Sequence, residues 1–223
     1  SFITFLIAAA CLAGDPRYWQ FAILFLFSAS MGAVSLTFLK RIPDAEMSEE
    51  IRASKGRVPW PEMLRFPPFR KLLRLLVGYS IAYGGMTAFT VAFLKTETAM
   101  SEGRILLVTS TAFLGGLSSL WLLGTRLDRL GSQPVLTFCF SAWVAVLAGW
   151  IALSGGLCPV QLSIVLLLQF MMGLQAALAQ MAITRLAMAT VPVMGRNHFF
   201  AIYSTVGNVT LGLAPIAWGL LID

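Results

Sequence analysis

Charge is what this sequence has least of. Only 12% of its 223 residues are Asp, Glu, Lys or Arg, about half the usual share of a soluble domain. Hydrophobic residues make up 58%, and the mean hydropathy is +0.81. So few charges cannot coat a water-soluble globule of this size, and so much apolar content excludes a disordered chain. Cysteine is also scarce. Cys11, Cys139 and Cys158 lie far apart, each in or beside an apolar run, with no CxxC and no Cys/His cluster. A disulfide scaffold, a metal centre and thiol redox chemistry have no residues to build on, and each cysteine reads as a small hydrophobe. Histidine occurs once, at His198, and neither HExxH nor GxSxG is present. An intramembrane enzyme would need such a nucleophile, base or ligand set, so no enzyme, no metal and no cofactor are expected. No Lys sits inside an apolar run to hold a retinal Schiff base, which excludes a photoreceptor.

What is present is a series of long apolar runs. A bilayer crossing takes about 20 such residues. Tyr18 to Leu39, Leu75 to Leu94 and Ile105 to Thr125 each fit one crossing. Between Arg129 and Arg185 no charged residue occurs. That length suits two helices joined at Ser154-Gly155-Gly156-Leu157-Cys158-Pro159, a string of helix breakers. The spans there are 133–153 and 160–182. Phe199 to Ile222 is the last. Ser1 to Ala13 is too short and reads as the tail of another span. The chain begins without Met inside one apolar run and ends just after another, so a longer membrane protein is expected around it. The expected fold class is therefore all-α, a polytopic transmembrane bundle.

Charge placement then orients the spans. If they alternate, residues 40–74, 126–129 and 185–196 share one side. That side carries every Lys and Arg except Arg17, Lys95 and Arg104. The positive-inside rule makes it cytoplasmic. The net charge of +6 is thus a topology signal and an attraction to anionic headgroups, and no nucleic-acid partner is expected. The long polar stretch from Lys40 to Lys71 opens on Ser48-Glu49-Glu50, able to cap a short helix. It continues with basic residues interleaved with Trp60, Leu64, Phe66 and Phe69, a pattern for a segment lying on the inner membrane surface. The alternative there is a solvated linker.

One short string carries a family resemblance. Residues 124–131 read Gly124-Thr125-Arg126-Leu127-Asp128-Arg129-Leu130-Gly131. This resembles the loop signature of the major facilitator superfamily, G-x-L-x-D-R-x-G-R-[KR], with Gly124, Asp128, Arg129 and Gly131 matching. Arg126 stands where the family has Leu, and Ser132-Gln133 replace the basic pair. Pro68-Phe69-Arg70-Lys71-Leu72-Leu73 resembles the entry to helix 7 of that family, and Arg196, Ala201, Gly207, Gly212, Ala214-Pro215, Gly219 and Asp223 resemble its helix 11.

The resemblance implies a chain running from the end of helix 5 through helix 11. Residues 1–39 would end the N-terminal bundle, 40–71 would be the cytoplasmic inter-bundle loop, and 72–223 would form the C-terminal bundle without helix 12. It implies a secondary transporter working by alternating access in a cell membrane, a bacterial inner membrane above all, and monomeric when full length. Gly124, Asp128, Arg129 and Gly131 would then form a cytoplasmic latch. On physical grounds alone, the two glycines permit a tight turn, and Asp128 suits the positive end of a nearby helix. A non-transporting signalling or assembly protein on the same scaffold is the competing expectation.

Binding in such transporters occurs near the bilayer midplane, so ionisable groups deep in the spans are the first thing to look for. There are none. A proton-coupling carboxylate, if the protein uses a coupling proton or ion, is expected outside these spans, and the substrate is expected to be a neutral or weakly charged small molecule. Neutral polar residues do occur at depth. Tyr79, Tyr83 and Thr87 recur every four residues and share roughly one helix face. Gln169 and Gln180 return to one face eleven residues apart, with Gln175 pointing elsewhere. Asn208 sits mid-span beside Ser204 and Thr205. The expected cavity residues are Tyr83, Thr87, Gln169, Asn208 and, nearer the inner interface, Tyr79. The bland alternative is hydrogen bonding between helices. Gly84-Gly85 suggests a bend or a close approach, and Gly115-Gly116 with Ser119 forms a small-residue packing face. Met171-Met172 offers an adaptable apolar wall. Asn197 is the expected N-cap of the last span, with His198 in its first turn.

Overall fold

The computed structural model of the chain describes residues 18–39, 60–123, 130–192 and 196–222. They form helices, with no strand among the described residues: α1 (Tyr18–Leu39), α2 (Trp60–Arg65), α3 (Pro67–Thr96), α4 (Glu102–Leu123), α5 (Ser132–Ser154), α6 (Leu162–Thr190) and α7 (Arg196–Ile222). All but the short α2 are long and apolar enough to cross a membrane. In lipid a helix satisfies its own backbone N–H and C=O groups, so an uninterrupted apolar run has this conformation open to it. Ser1–Ala13, Ser48-Glu49-Glu50, Gly124, Asp128, Arg129 and Asp223 lie outside the described residues.

Helix ends follow local chemistry. After α5, Gly156 adopts φ +70°, which costs glycine nothing. The Leu157 N–H then donates to Ala152 O (3.0 Å) and the Gly156 N–H to Leu153 O (3.3 Å). This paired arrangement satisfies carbonyls that a helix end otherwise leaves bare. Gly131, directly ahead of α5, has φ +79°, a conformation glycine adopts freely. At the close of α6 the Arg196 guanidinium donates to Met188 O (3.0 Å), a positive group on the negative helix end.

Several boundaries correct the sequence reading. α3 starts at Pro67, inside the stretch expected to be loop, because Pro67 and Pro68 occupy its first turn, where a missing N–H costs nothing. Phe69 is fully buried and packs edge-on against Phe199 (4.8 Å). It is a core residue of the bundle rather than a membrane-surface one. Trp60 and Leu64 remain exposed, while Met63 between them is buried. α6 runs on past residue 182 to Thr190, carrying Arg185 inside the helix. α7 begins at Arg196, so Asn197 lies within its first turn instead of capping it. His198 meets the Trp60 ring edge-on at 6.0 Å.

α6 is the central element, packing against α4 and α5 along most of its length and also against α3, while α3 pairs with α7. Two cores result. One joins α2, α3, α5, α6 and α7 around Phe69, Leu76, Leu178, Ile183 and Phe199. The other joins α3, α4, α5 and α6 around Leu94, Val108, Trp150 and Val165. α1 contributes to neither, and no residue of its apolar window is buried. Large apolar side chains such as Phe138, Val144 and Ile151 face outward, as expected where the surrounding medium is hydrocarbon.

Gly84, Gly85 and Gly115 stand at close approaches between helices, whereas Gly116 has only ordinary contacts. A Cβ added to Gly115 would strike the Phe170 carbonyl, and one on Gly173 would strike the Ala112 carbonyl. α4 and α6 therefore touch backbone to backbone. Gly84 and Gly85 let α7 approach α3. A Cβ on Gly84 would lie 2.9 Å from Ala214 Cβ and from Leu211 O, and one on Gly85 would enter the Trp218 ring. Pro215, within α7, lacks the N–H that Leu211 O would otherwise accept, so that carbonyl is left to face the bare Gly84.

Candidate functional site: an uncharged cavity at mid-depth

A cavity of about 890 Å³ lies among α3, α4, α6 and α7. Its lining residues include Tyr79, Tyr83 and Thr87 from α3, Gln169 from α6 and Asn208 from α7. Tyr79 and Gln169 are buried, Tyr83 and Thr87 half-buried, and Asn208 is exposed. Gln180 joins Gln169 on the cavity wall, whereas Gln175 is buried elsewhere. Met172 lines the cavity and Met171 does not. Of the loop motif only Gly131 is described, and it is remote from this wall in sequence and element. Among the described lining residues none is charged.

The polar groups differ in how far they are already engaged. The Tyr79 hydroxyl donates to Ala176 O (3.3 Å). The Thr87 hydroxyl lies 3.1 Å from Tyr83 O and 3.0 Å from Gly84 O, and Thr109 donates to Ile105 O (2.9 Å). These three hydroxyls spend their protons on backbone carbonyls and present lone pairs. Asn208 Nδ2 donates to Ser204 Oγ (3.3 Å). The Gln169 side chain is different. It is 5% exposed, and its Oε1 is buried with no hydrogen-bond partner among the described residues.

Sequence reasoning missed Trp143. Its ring from α5 lies nearly parallel to those of Tyr79 (5.7 Å, 17°) and Tyr83 (6.1 Å, 15°), which are themselves stacked (5.7 Å, 5°). Three near-parallel rings hold one another in a fixed orientation, and two of them face the cavity. A signal existed: tryptophan in a membrane helix favours the interfaces, yet Trp143 falls at the centre of its span. Tyr203 was missed as well and also lines the cavity. Among the described residues no three His, Cys, Asp or Glu side chains cluster as metal ligands would. No protein-family model, no curated protein and no solved structure matches this chain.

Proposed function

We propose that the chain is the substrate-binding part of a secondary transporter that moves a neutral or weakly charged small molecule across a cell membrane by alternating access. The observation that carries this reading is the cavity itself. It sits at mid-depth among membrane-length helices, it is large enough for a small molecule, and polar groups converge on it without a charge. Polar groups at this depth are expensive in hydrocarbon unless they are used. The resemblance of residues 124–131 to the major facilitator loop signature supports the same reading. On it, Asp128 and Arg129 latch the cytoplasmic side, and the basic connectors, residues 40–71 included, face the cytoplasm of a bacterial cell.

Transport is tested in proteoliposomes holding the intact protein, using a panel of labelled neutral solutes. Saturable uptake of at least one solute is expected, reduced by Tyr83→Ala while the helical signal is retained. An absence of saturable flux for every solute, in vesicles where the protein is shown to be folded, sinks the reading. Orientation has a separate test in Cys158, which is exposed in the α5–α6 turn, against a buried Cys139. With Cys11 replaced by Ser, a membrane-impermeant maleimide is expected to label Cys158 in intact cells. Labelling only after lysis reverses the topology.

A further inference from the structure

We propose that the end of the bundle where α2 lies binds the headgroup of an anionic phospholipid, with Arg70, Lys71 and Arg74 on the phosphate and Trp60 and Leu64 beside the acyl chains. The inference needs only that the helices span a membrane. It does not rest on transport.

Charge is distributed unevenly between the two ends. At the α3–α4 turn Lys95 and Arg104 stand with Glu97 and Glu102, and Lys95 pairs with Glu102. At the opposite end Arg65, Arg70, Lys71, Arg74 and Arg196 are all exposed, and Glu62 is the one acidic side chain among the described residues there. None of these five forms an ion pair with a described residue. Arg70, Lys71 and Arg74 share one face of α3, turned away from the buried Phe69, Leu72 and Leu76. Like charges spaced this way repel one another and weaken a helix. A phosphate group placed among them turns that repulsion into attraction, and two guanidinium groups suit its oxygens.

Depth agrees with a headgroup. The uninterrupted apolar run of α3 starts at Leu75, so Arg74 stands at its edge. Arg70 is one turn further out, about 6 Å along the helix axis. The polar layer on each side of a bilayer is about 5–8 Å thick, so the two guanidinium groups bracket it. Position is fixed from within. Met63 of α2 is buried in the core, Phe66 meets Phe199 edge-on at 6.3 Å, and Trp60 meets His198 at 6.0 Å. Trp60 and Leu64, four residues apart and so on one side of the α2 turn, are left exposed. Tryptophan favours the membrane interface, and leucine gains from contact with acyl chains. A free phosphate ion would make no use of this apolar pair, whereas a lipid uses both parts of the surface.

The test reads Trp60 in the intact protein in phosphatidylcholine nanodiscs, as the fluorescence difference between the unchanged protein and Trp60→Phe. Lipids brominated on their acyl chains quench a tryptophan they touch. Brominated phosphatidylglycerol is expected to reach half-maximal quenching at a mole fraction about tenfold below that of brominated phosphatidylcholine, since each basic residue near an anionic group contributes about fivefold. Arg70→Gln, Lys71→Gln and Arg74→Gln together are expected to bring the two curves together. Lys40→Gln, Arg41→Gln and Arg52→Gln together remove the same charge elsewhere and are expected to keep the curves apart. Should the first triple variant fail to fold, Arg74→Gln alone is expected to narrow the separation severalfold. Coincident curves in the unchanged protein, an unmoved separation in the Arg70, Lys71 and Arg74 variants, or an equal loss in both triple variants overturns the site. Inorganic phosphate at constant ionic strength is expected to leave the separation in place; its erasure would make the occupant a free anion and overturn the lipid.

Discussion

The α4–α6 contact and the α3–α7 contact both depend on paired glycines, yet they are built differently. At Gly115 and Gly173 an added methyl meets a backbone carbonyl of the facing helix. Backbone in a membrane helix has nowhere to go without breaking its own hydrogen bonds. At Gly85 the obstacle is the Trp218 side chain, whereas at Gly84 it includes the Leu211 carbonyl as well as the Ala214 Cβ. The Trp218 side chain can turn aside; the groups facing Gly84 cannot. The first contact is backbone against backbone; the second mixes backbone at Gly84 with a side chain at Gly85, on a helix that carries Pro215. The cavity lies among these same four helices.

The sharpest break of this comparison comes from the backbone-to-backbone contact. Gly173→Ala is expected to destabilise the protein by about 3 kcal/mol, the upper range for forcing an atom into a packed site. A thermal melt in detergent would read this as a melting temperature lower by roughly 6–12 °C. A change within error would mean that α4 and α6 part freely and that the contrast is false. Gly115→Ala should act through the same contact, so the double variant should lose less than the two single losses added.

The contact of Gly85 with Trp218 should respond more gently. Gly85→Ala is expected to cost about 1–2 kcal/mol, and the cost should disappear when Trp218→Leu is already present. Trp218 also donates from Nε1 to Ile81 O (3.2 Å), so Trp218→Leu alone carries its own loss of about 1 kcal/mol. A Gly85→Ala penalty that persists in the Trp218→Leu background would place the obstacle in the backbone.

Adjacent glycines sharpen the point further. A Cβ on Gly116 meets Ala177 Cβ at an ordinary 3.6 Å, and one on Gly212 meets nothing. Alanine at either position should therefore gain up to about 1 kcal/mol from helix propensity, measured by the same melt. A loss at Gly212→Ala would show that its helix needs the backbone freedom of glycine. The smallest effect is expected at the connection joining the two halves of the comparison. Lys95 pairs with Glu102 across the α3–α4 turn, both partly exposed. Lys95→Ala should change stability by no more than about 0.5 kcal/mol, because solvent screens such pairs; double-mutant cycles with Glu102→Ala measure it.

Much of this was legible in advance, for reasons that can be stated residue by residue. The spacing of Tyr79, Tyr83 and Thr87 put them on one face, and a helix in lipid has no other periodicity to offer. Gln169 and Gln180 followed from the same arithmetic. Helix ends were less legible. Pro67 was read as a loop residue because proline breaks helices, although at a first turn it starts one. Phe69 was assigned to the membrane surface because neighbouring basic residues set the expectation; only Phe199, far along the chain, supplies the partner that buries it. Trp143 offered only its central position in the span as a signal; its stack is made with rings on another helix.

The number of apolar helices, and the segregation of positive charge to alternate connectors, were determined by the sequence alone, because they depend on hydropathy and chain order. Which helices touch was decided by tertiary structure, as was the choice of Gly115 and Gly173 as a backbone-to-backbone contact. So was the meeting of Tyr79, Tyr83 and Trp143 as three near-parallel rings. Those depend on the rotation of each helix about its axis and on partners distant in the chain, and no local pattern encodes either.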